Sequence, residues 1–137
     1  MTPVKSFKVF GEQVEILVDA TMTGGQSMTL RQTSPPGGGP PPHWHKNEDE
    51  TFYVLEGEYG ILKDGEWVKL SPGDCAYGPR GGVHTFRNCG TTTGQVLVTV
   101  TPGGFENYLE EISVLTVPQD MEQLLAISER YGVTFVL

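Results

Sequence analysis

Short runs of β-branched and aromatic residues, separated by Gly, Pro and Asp, occupy most of the first hundred positions of this 137-residue chain. The predicted strands cover residues 7–10, 14–18, 27–32, 51–55, 59–62, 67–70, 75–78, 83–87 and 95–101. Asp64-Gly65 is the kind of residue pair preferred in a tight hairpin turn. Strands this short and this evenly spaced predict a β-sandwich or barrel, and a content of 18 Gly and 10 Pro is typical of a turn-rich β protein.

The last third of the sequence changes its hydrophobic period. Residues 104–112 place apolar side chains at positions i, i+3, i+4 and i+7, which is the spacing of one helix face. Residues 119–131 repeat this spacing, and Gly132 is a suitable residue to end a helix. We therefore predict two short helices after the strands.

Length and composition limit the classes of fold and function. A chain of this size fits a single domain, residues 1–137, with a barrel over about 7–101 and a helical segment over about 104–131. A net charge of -8 makes nucleic acid and anionic membrane surfaces unexpected partners. The sequence has no signal-peptide pattern and no apolar stretch that could cross a membrane, so a cytoplasmic location is expected.

The two cysteines, Cys75 and Cys89, do not form the framework of a disulfide-rich protein. Their positions on either side of a glycine turn would allow them to face each other across a hairpin. In a reducing cytoplasm, however, two free thiols are the expected state. We therefore predict that neither cysteine is part of a disulfide.

His43 and His45 are separated by one residue in a segment that would be extended. Residues two apart on a strand point to the same face, and neutral imidazole is a good ligand for first-row divalent metals. His84 lies in a separate β segment that could close over the same space. Taken alone, a His-x-His pair or a single histidine is more often a residue with a structural role than a metal ligand. The acidic or polar candidates for a further ligand are Asn47, Glu48, Asp49 and Glu50.

Two spaced motifs contain these histidines. Residues 37–57 fit the pattern G-x5-H-x-H-x4-E-x6-G, with fixed positions at Gly37, His43, His45, Glu50 and Gly57. Residues 73–88 fit G-x5-P-x-G-x2-H-x3-N, with fixed positions at Gly73, Pro79, Gly81, His84 and Asn88. Both patterns, in this order, resemble the two motifs of the cupin superfamily. The chain looks like a small single-domain cupin, most similar to the quercetin 2,3-dioxygenase-like cupins, and the resemblance implies an all-β double-stranded β-helix, or jelly-roll, barrel.

The resemblance also implies a metal site. The residues at the metal-ligand positions of the family are His43, His45, Glu50 and His84. Strand parity supports Glu50, because it shares a face with Phe52, whereas Asp49 would point the other way. Three nitrogens and one carboxylate leave open positions on a five- or six-coordinate metal, unlike a closed structural zinc site. We expect one divalent transition metal, Fe, Mn or Ni first, with Zn, Co or Cu as alternatives, and a purely stabilising metal remains an option.

Several apolar side chains are candidates for a pocket beside the metal. They are Met28, Phe52, Tyr77, Phe86, Phe105 and Tyr108. Phe52 shares parity with Glu50, and Phe86 shares parity with His84. The helix after residue 104 can cover the barrel mouth in cupins with a similar Pro-Gly-Gly-Phe-Glu segment. Ordinary core packing explains each of these side chains equally well.

The function implied by the resemblance is that of a metal-dependent dioxygenase-like enzyme. Its substrate would be a small flavonol, catechol or diketone-like molecule, and Glu50 could double as a general base. An isomerase or lyase acting on a sugar or keto acid is an alternative, and it would need Arg31, Arg80 or Arg87 near the metal, although Arg87 has outward parity. A non-catalytic ligand-binding protein is a second alternative. Barrels with open sheet edges often pair, so a homodimer is expected.

Overall fold

The computed structural model describes residues 2–136. Within this range the chain forms eleven strands and three helices. The strands are β1 (Lys5–Val9), β2 (Glu12–Val18), β3 (Met28–Ser34), β4 (His43–His45), β5 (Asp49–Glu56), β6 (Tyr59–Lys63), β7 (Glu66–Leu70), β8 (Cys75–Gly78), β9 (His84–Asn88), β10 (Gly94–Thr101) and β11 (Val133–Phe135). The helices are α1 (Ala20–Thr23), α2 (Phe105–Ile112) and α3 (Met121–Arg130).

The strands form two antiparallel sheets around one core. The larger sheet has the order β1-β2-β3-β10-β5-β8, and the smaller sheet has the order β11-β4-β9-β6-β7. From β3 onward the chain passes repeatedly from one sheet to the other, which is the winding of a double-stranded β-helix. The structure therefore confirms the predicted jelly-roll barrel followed by two short helices.

Alternation along the strands turns one face of each sheet towards the interior. On β5, Phe52 and Val54 have relative exposures of 3% and 0%, whereas Tyr53 between them is 42% exposed. From the smaller sheet, Ile61 and Phe86 are buried in the same core. Burial of an apolar side chain of this size contributes about 1.5–3 kcal/mol each, so the core is the main source of stability.

The predicted hairpin at Asp64-Gly65 is present between β6 and β7. Both residues have positive φ, at 54° and 78°, which is the geometry of a type I′ turn. The turn aligns Lys63 with Glu66 and continues as a five-pair ladder to Tyr59 opposite Leu70. The twist of this turn type matches the twist of the paired strands, which explains why Asp-Gly was informative in the sequence.

Two elements were not predicted from the sequence. The helix α1 spans four residues, with Asp19 accepting a hydrogen bond from the Met22 amide at its start and Gly24 in the left-handed region at its end. The strand β11 spans three residues and pairs with β4, placing Val133 opposite His45 and Phe135 opposite His43. Both are too short to show a hydrophobic period, and β11 forms because β4 offers it an open edge.

Cys75 and Cys89 are both exposed and are not joined to each other. Within residues 2–136, no helix has the length and apolar character needed to cross a membrane.

The loop between β3 and β4 lies against β9 and leads directly into the first histidine. The Gly37 amide donates to the Asn88 carbonyl at 2.8 Å, and the Asn88 amide donates to the Gly38 carbonyl at 2.8 Å. At Gly39, whose φ is 151°, a Cβ atom would lie 2.0 Å from the Phe86 carbonyl oxygen. The close approach of this loop to β9 therefore requires glycine at position 39.

We predict that Gly39→Ala destabilises the fold by about 3 kcal/mol or more, because the added methyl group overlaps backbone that cannot move without breaking β9. Gly37→Ala is the matched control in the same loop, since Gly37 has a positive φ of 80° but nothing within 4 Å of the added Cβ. It should cost only about 1 kcal/mol. Urea unfolding of both variants tests this, and equal losses would contradict the steric argument.

Candidate metal centre

Three strands from both sheets bring the predicted ligands to one point. His43 and His45 lie two apart on β4 and project from the same face, and His43 is directly opposite His84 of β9. Glu50 approaches from the inward face of β5 in the other sheet. One ligand atom from each residue lies within 4.8 Å of all the others, and all four residues are buried. This arrangement could hold a single metal ion.

The distances within the cluster leave several nitrogens without a partner. His84 Nε2 lies 2.8 Å from Glu50 Oε2, and His45 Nε2 lies 3.4 Å from Glu50 Oε1. Neither contact has hydrogen-bond alignment, so both Nε2 atoms are buried without a hydrogen-bond partner among the described residues. An unsatisfied buried polar group costs about 1–3 kcal/mol, and a divalent cation at the centre would satisfy both nitrogens at once. The donor set of three imidazoles and one carboxylate fits a first-row transition metal.

Contacts on the far side of the rings orient two of the histidines. His43 Nδ1 lies 2.8 Å from the Pro41 carbonyl oxygen and donates to it, which leaves Nε2 as the ligand atom. His45 Nδ1 lies 3.3 Å from Glu48 Oε1 and donates to this carboxylate. Glu48 is therefore a supporting residue, whereas its sequence position indicated only a candidate ligand. The signal that could have identified it is its position three residues after a histidine, at the turn into β5.

Two more residues support the third histidine and the loop before it. Gly78 pairs with Glu50 across the strands, and a Cβ atom at Gly78 would lie 3.2 Å from His84 Nδ1. Glycine at this position thus leaves room for the imidazole ring. Asp49 points away from the cluster, as predicted, and accepts hydrogen bonds from the Arg80 amide at 2.8 Å and from the Arg80 side chain at 3.0 Å. This pair ties the turn before His84 to the start of β5.

Burial and mutual charge set the protonation of the cluster. Burial lowers the pKa of His43 to about 4, helped by the neighbouring histidines, so His43 is neutral near neutral pH. Burial would raise the pKa of Glu50, but His45, His84 and His43 outweigh it and bring the pKa to about 2. Burial would lower the pKa of His45, but Glu50 and Glu48 outweigh it and raise the pKa. The site therefore presents an ionised carboxylate, which is the form that binds a metal.

A cavity between the sheets and α2 reaches three of the four clustered residues. Its lining is formed by Val9, Phe10, Val14, Leu30, Gln32, Pro40, His43, Glu50, Phe52, His84, Phe86, Val98, Phe105, Tyr108, Leu109, Ile112, Val133 and Phe135. His45 is buried beside the cavity, with its ring centroid 4.8 Å from that of Phe105. The cavity wall is thus almost entirely apolar, and the candidate metal position lies where His43, Glu50 and His84 form part of this wall.

The structure places four of the six pocket candidates on this cavity wall. These are Phe52, Phe86, Phe105 and Tyr108. Tyr77 does not contribute, because it pairs with Thr51 on the outer face of β8 and is 49% exposed. Met28 points inward but is a fully buried core residue outside the cavity lining. For Met28 the alternative of ordinary core packing was the better interpretation.

None of the three arginines considered for anion binding lines the cavity. Arg31 forms an ion pair with Glu15, with Nε 2.9 Å from Oε1. Arg80 is paired with Asp49, and Arg87 stacks over the outer face of Trp67 at 5.2 Å from the ring centroid. No lysine lines the cavity either within the described residues. The cavity therefore offers no cationic side chain to a negatively charged ligand.

A double-stranded β-helix whose interior gathers three histidines and one glutamate defines the class of cupin-type barrels. The family described as Cupin domain matches residues 30–100, and the chain belongs to this family. The family assignment and the fold agree with the two motifs found in the sequence.

Three proteins are examples of what the chain is similar to in sequence or in fold. The chain is 35% identical over 103 residues to quercetin 2,3-dioxygenase of Bacillus subtilis, a match that covers 74% of this chain but only 30% of that protein. KdgF from a Halomonas species has a TM-score of 0.67 at 23% identity, covering 75% of this chain and 90% of KdgF, which is a likeness of fold. The polyketide cyclase RemF from Streptomyces resistomycificus has a TM-score of 0.62 at 27% identity, and the match covers 72% of this chain and 73% of RemF.

We predict that the purified protein binds one transition metal ion per chain and that His84→Ala weakens this binding by more than about a hundredfold, because a ligand is lost. Elemental analysis after metal loading and desalting measures the stoichiometry. Arg87→Ala is the matched control on the same strand, since Arg87 faces outward. Wild-type protein without stoichiometric metal, or a His84→Ala variant that keeps it, would refute the site.

We predict that Glu48→Gln lowers metal affinity by about 10–100-fold while the stoichiometry stays at one. The hydrogen bond from His45 to the Glu48 carboxylate orients the imidazole and makes it a more basic ligand, and an amide in place of the carboxylate weakens this bond. Competition with a chelator of known affinity measures this change. Glu56→Gln is the control for net charge, since Glu56 is exposed on β5. Unchanged affinity in Glu48→Gln would show that Glu48 does not support the site.

Proposed function

We propose that this protein is a metal-dependent, dioxygenase-like enzyme that acts on a small apolar molecule carrying an enol, catechol or diketone group. The observation that carries this proposal is the composition of the cavity, which joins three of the four clustered residues to aromatic and aliphatic walls without a cationic side chain. Such a cavity favours a mostly uncharged body with one chelating end. The similarity to quercetin 2,3-dioxygenase supports the same class of substrate.

The chain would hold the metal through the Nε2 atoms of the three histidines and a carboxylate oxygen of Glu50. A bound divalent metal would acidify the hydroxyl of a chelating substrate and provide open positions for the substrate and O2. Because His43, Glu50 and His84 themselves line the cavity, a molecule in the cavity lies next to those positions. Pro41 and Glu48 orient the imidazoles of His43 and His45 through their Nδ1 atoms, which leaves the Nε2 atoms to act as ligands.

Glu50 is the catalytic residue in this proposal. Its carboxylate is ionised and lies at the cavity wall, so it can accept the proton of a substrate hydroxyl. A carboxylate is a weak base, and the proton transfer is therefore effective only for a hydroxyl that the metal would acidify. This requirement selects enols and catechols over ordinary alcohols.

The aromatic wall has two further tasks. Phe52 packs edge-on against His84 with ring centroids 5.4 Å apart, and Phe105 packs against His45. These rings exclude water from the reacting atoms, which strengthens the electrostatic interactions there. The α2 helix that carries Phe105 is held over the cavity by Tyr108, whose hydroxyl lies 2.7 Å from Ser128 Oγ of α3.

An O2-independent reaction on the same kind of substrate is the main alternative, and the likeness to a polyketide cyclase is the observation that favours it. The isomerase or lyase that acts on a sugar or keto acid is less well supported, because Arg31, Arg80 and Arg87 are all engaged away from the cavity. A non-catalytic protein that only retains a ligand is the third option. These alternatives differ in turnover and in its dependence on O2.

The test is O2 consumption and substrate loss by protein loaded separately with Fe(II), Mn(II) and Ni(II), using a flavonol, a catechol and a diketone. We expect equimolar loss of O2 and substrate for at least one pair, and loss of this activity in His84→Ala but not in Arg87→Ala. Turnover that persists without O2 would favour the cyclase, isomerase or lyase classes. Binding without any turnover would favour the non-catalytic class, and either result would overturn the proposal.

A further inference from the structure

Gln32 is an unusual residue in the cavity wall. Apart from the clustered His43, Glu50 and His84, the polar side chains of the lining are Gln32 and Tyr108. The Tyr108 hydroxyl is already bonded to Ser128. Gln32 is therefore the remaining polar side chain that could contact a ligand along an otherwise apolar surface.

Gln32 lies far from the metal position along the barrel. On the larger sheet, Gln32 is opposite Val96, whereas Glu50 is opposite Val100. The positions of Gln32 and Glu50 are thus four residues apart along β10, which corresponds to about 13 Å at about 3.3 Å per residue. Both side chains line the cavity, so a ligand that reaches from one to the other must be elongated.

A buried carboxyl group holds the Gln32 amide. Gln32 Nε2 donates to Glu12 Oε1 at 3.1 Å, and the Ser34 hydroxyl donates to the same oxygen. Glu12 is only 2% exposed, and a Cβ atom at Gly38 would lie 3.3 Å from its other oxygen. Burial raises the pKa of Glu12, and no cationic side chain within the described residues pairs with it.

This contact decides which atom Gln32 can offer. With Nε2 committed to Glu12, the carbonyl oxygen of the side chain has no hydrogen-bond donor among the described residues. An amide oxygen fixed in this way accepts a hydrogen bond without losing rotational freedom on binding, which is the condition for selective recognition. A carboxyl group buried without a cation is costly, and the hydrogen bonds from Gln32 and Ser34 offset part of this cost.

We propose that Gln32, oriented by Glu12, accepts a hydrogen bond from a hydroxyl at the end of the substrate opposite to its chelating oxygens. The site thereby selects elongated apolar molecules with a chelating group at one end and a hydroxyl at the other. This inference rests on the proposed function in that it needs a chelating ligand in the cavity. Gln32 is the specificity-determining residue, and Glu12 is a positioning residue.

The test compares a flavonol with the same flavonol carrying a hydroxyl para on its pendant phenyl ring. Dissociation constants are measured without O2 on Ni(II)-loaded protein from the shift of the flavonol absorption band. Wild-type protein should bind the hydroxylated compound about five- to tenfold more tightly. Gln32→Met should abolish this preference, so that the two compounds bind with equal dissociation constants, while the metal content stays at one per chain.

Two variants separate orientation from general structural damage. Glu12→Gln should reduce the preference ratio, because its amide no longer fixes which Gln32 atom remains free. Gln95→Met should keep the full ratio, since Gln95 faces outward on the neighbouring strand and bonds to Thr33 at 3.2 Å. A wild-type protein without preference, or a Gln32→Met variant that retains it, would overturn the inference whatever the other variants do.

O2 consumption, measured in parallel with the flavonol, the catechol and the diketone and with each of the three metals, distinguishes the two proposals. Preference that depends on Gln32 without any O2 consumption in these measurements would refute the dioxygenase function and leave the recognition role standing. O2 consumption without a preference for the hydroxylated compound would refute the role of Gln32 alone. Failure of wild-type protein to bind either compound would overturn the role of Gln32, and the catechol and diketone measurements would then decide the dioxygenase function.

Discussion

The burial of one carboxylate and three imidazoles in an apolar interior is the constraint on which the rest of this structure depends. Glu50 and the histidines are almost inaccessible to water, and two ligand nitrogens have no hydrogen-bond partner among the described residues. Such a cluster is unfavourable for folding unless a charge at its centre compensates for the lost hydration. Without a metal, a proton on His45, whose pKa Glu50 and Glu48 raise, compensates for part of this lost hydration. A divalent metal would take the place of that proton.

Hydrogen bonds around the four ligands hold this energetically unfavourable cluster in one geometry. Pro41 orients His43 from the loop that crosses β9, Glu48 orients His45 from the turn into β5, and Asp49 holds the Arg80 turn before His84. His43 and His45 are thus oriented by residues two or three positions away in sequence, whereas the turn before His84 is held by a contact between distant strands. The packing of the two sheets sets the distances between the four ligands.

The sequence predicted what depends on local spacing and missed what depends on contacts between distant strands. Motif spacing and parity were sufficient for the barrel, for the inward face of Phe52 and for the direction of Asp49. Tyr77 was misplaced because its face is decided by the β5–β8 register, where Gly78 and not Tyr77 is opposite Glu50. The strand β11 was missed because its three residues become a strand only against β4. Gln32 gave no sequence signal, since its role depends on a cavity that no single segment defines.

A count of charges in the cavity gives an independent reason for the proposed substrate class. A divalent metal with ionised Glu50 carries a net charge of about +1, since His43 and its partners would bind as neutral imidazoles. A singly ionised enol or catechol brings the total to zero once the proton accepted by Glu50 has passed to solvent, so the complex then buries no uncompensated charge. A dianionic acid or a phosphate ester would leave a negative charge in apolar surroundings, where Arg31, Arg80 and Arg87 are not available to neutralise it. Electroneutrality therefore favours the monoanionic chelators, and the apolar wall favours those with an aromatic or aliphatic body.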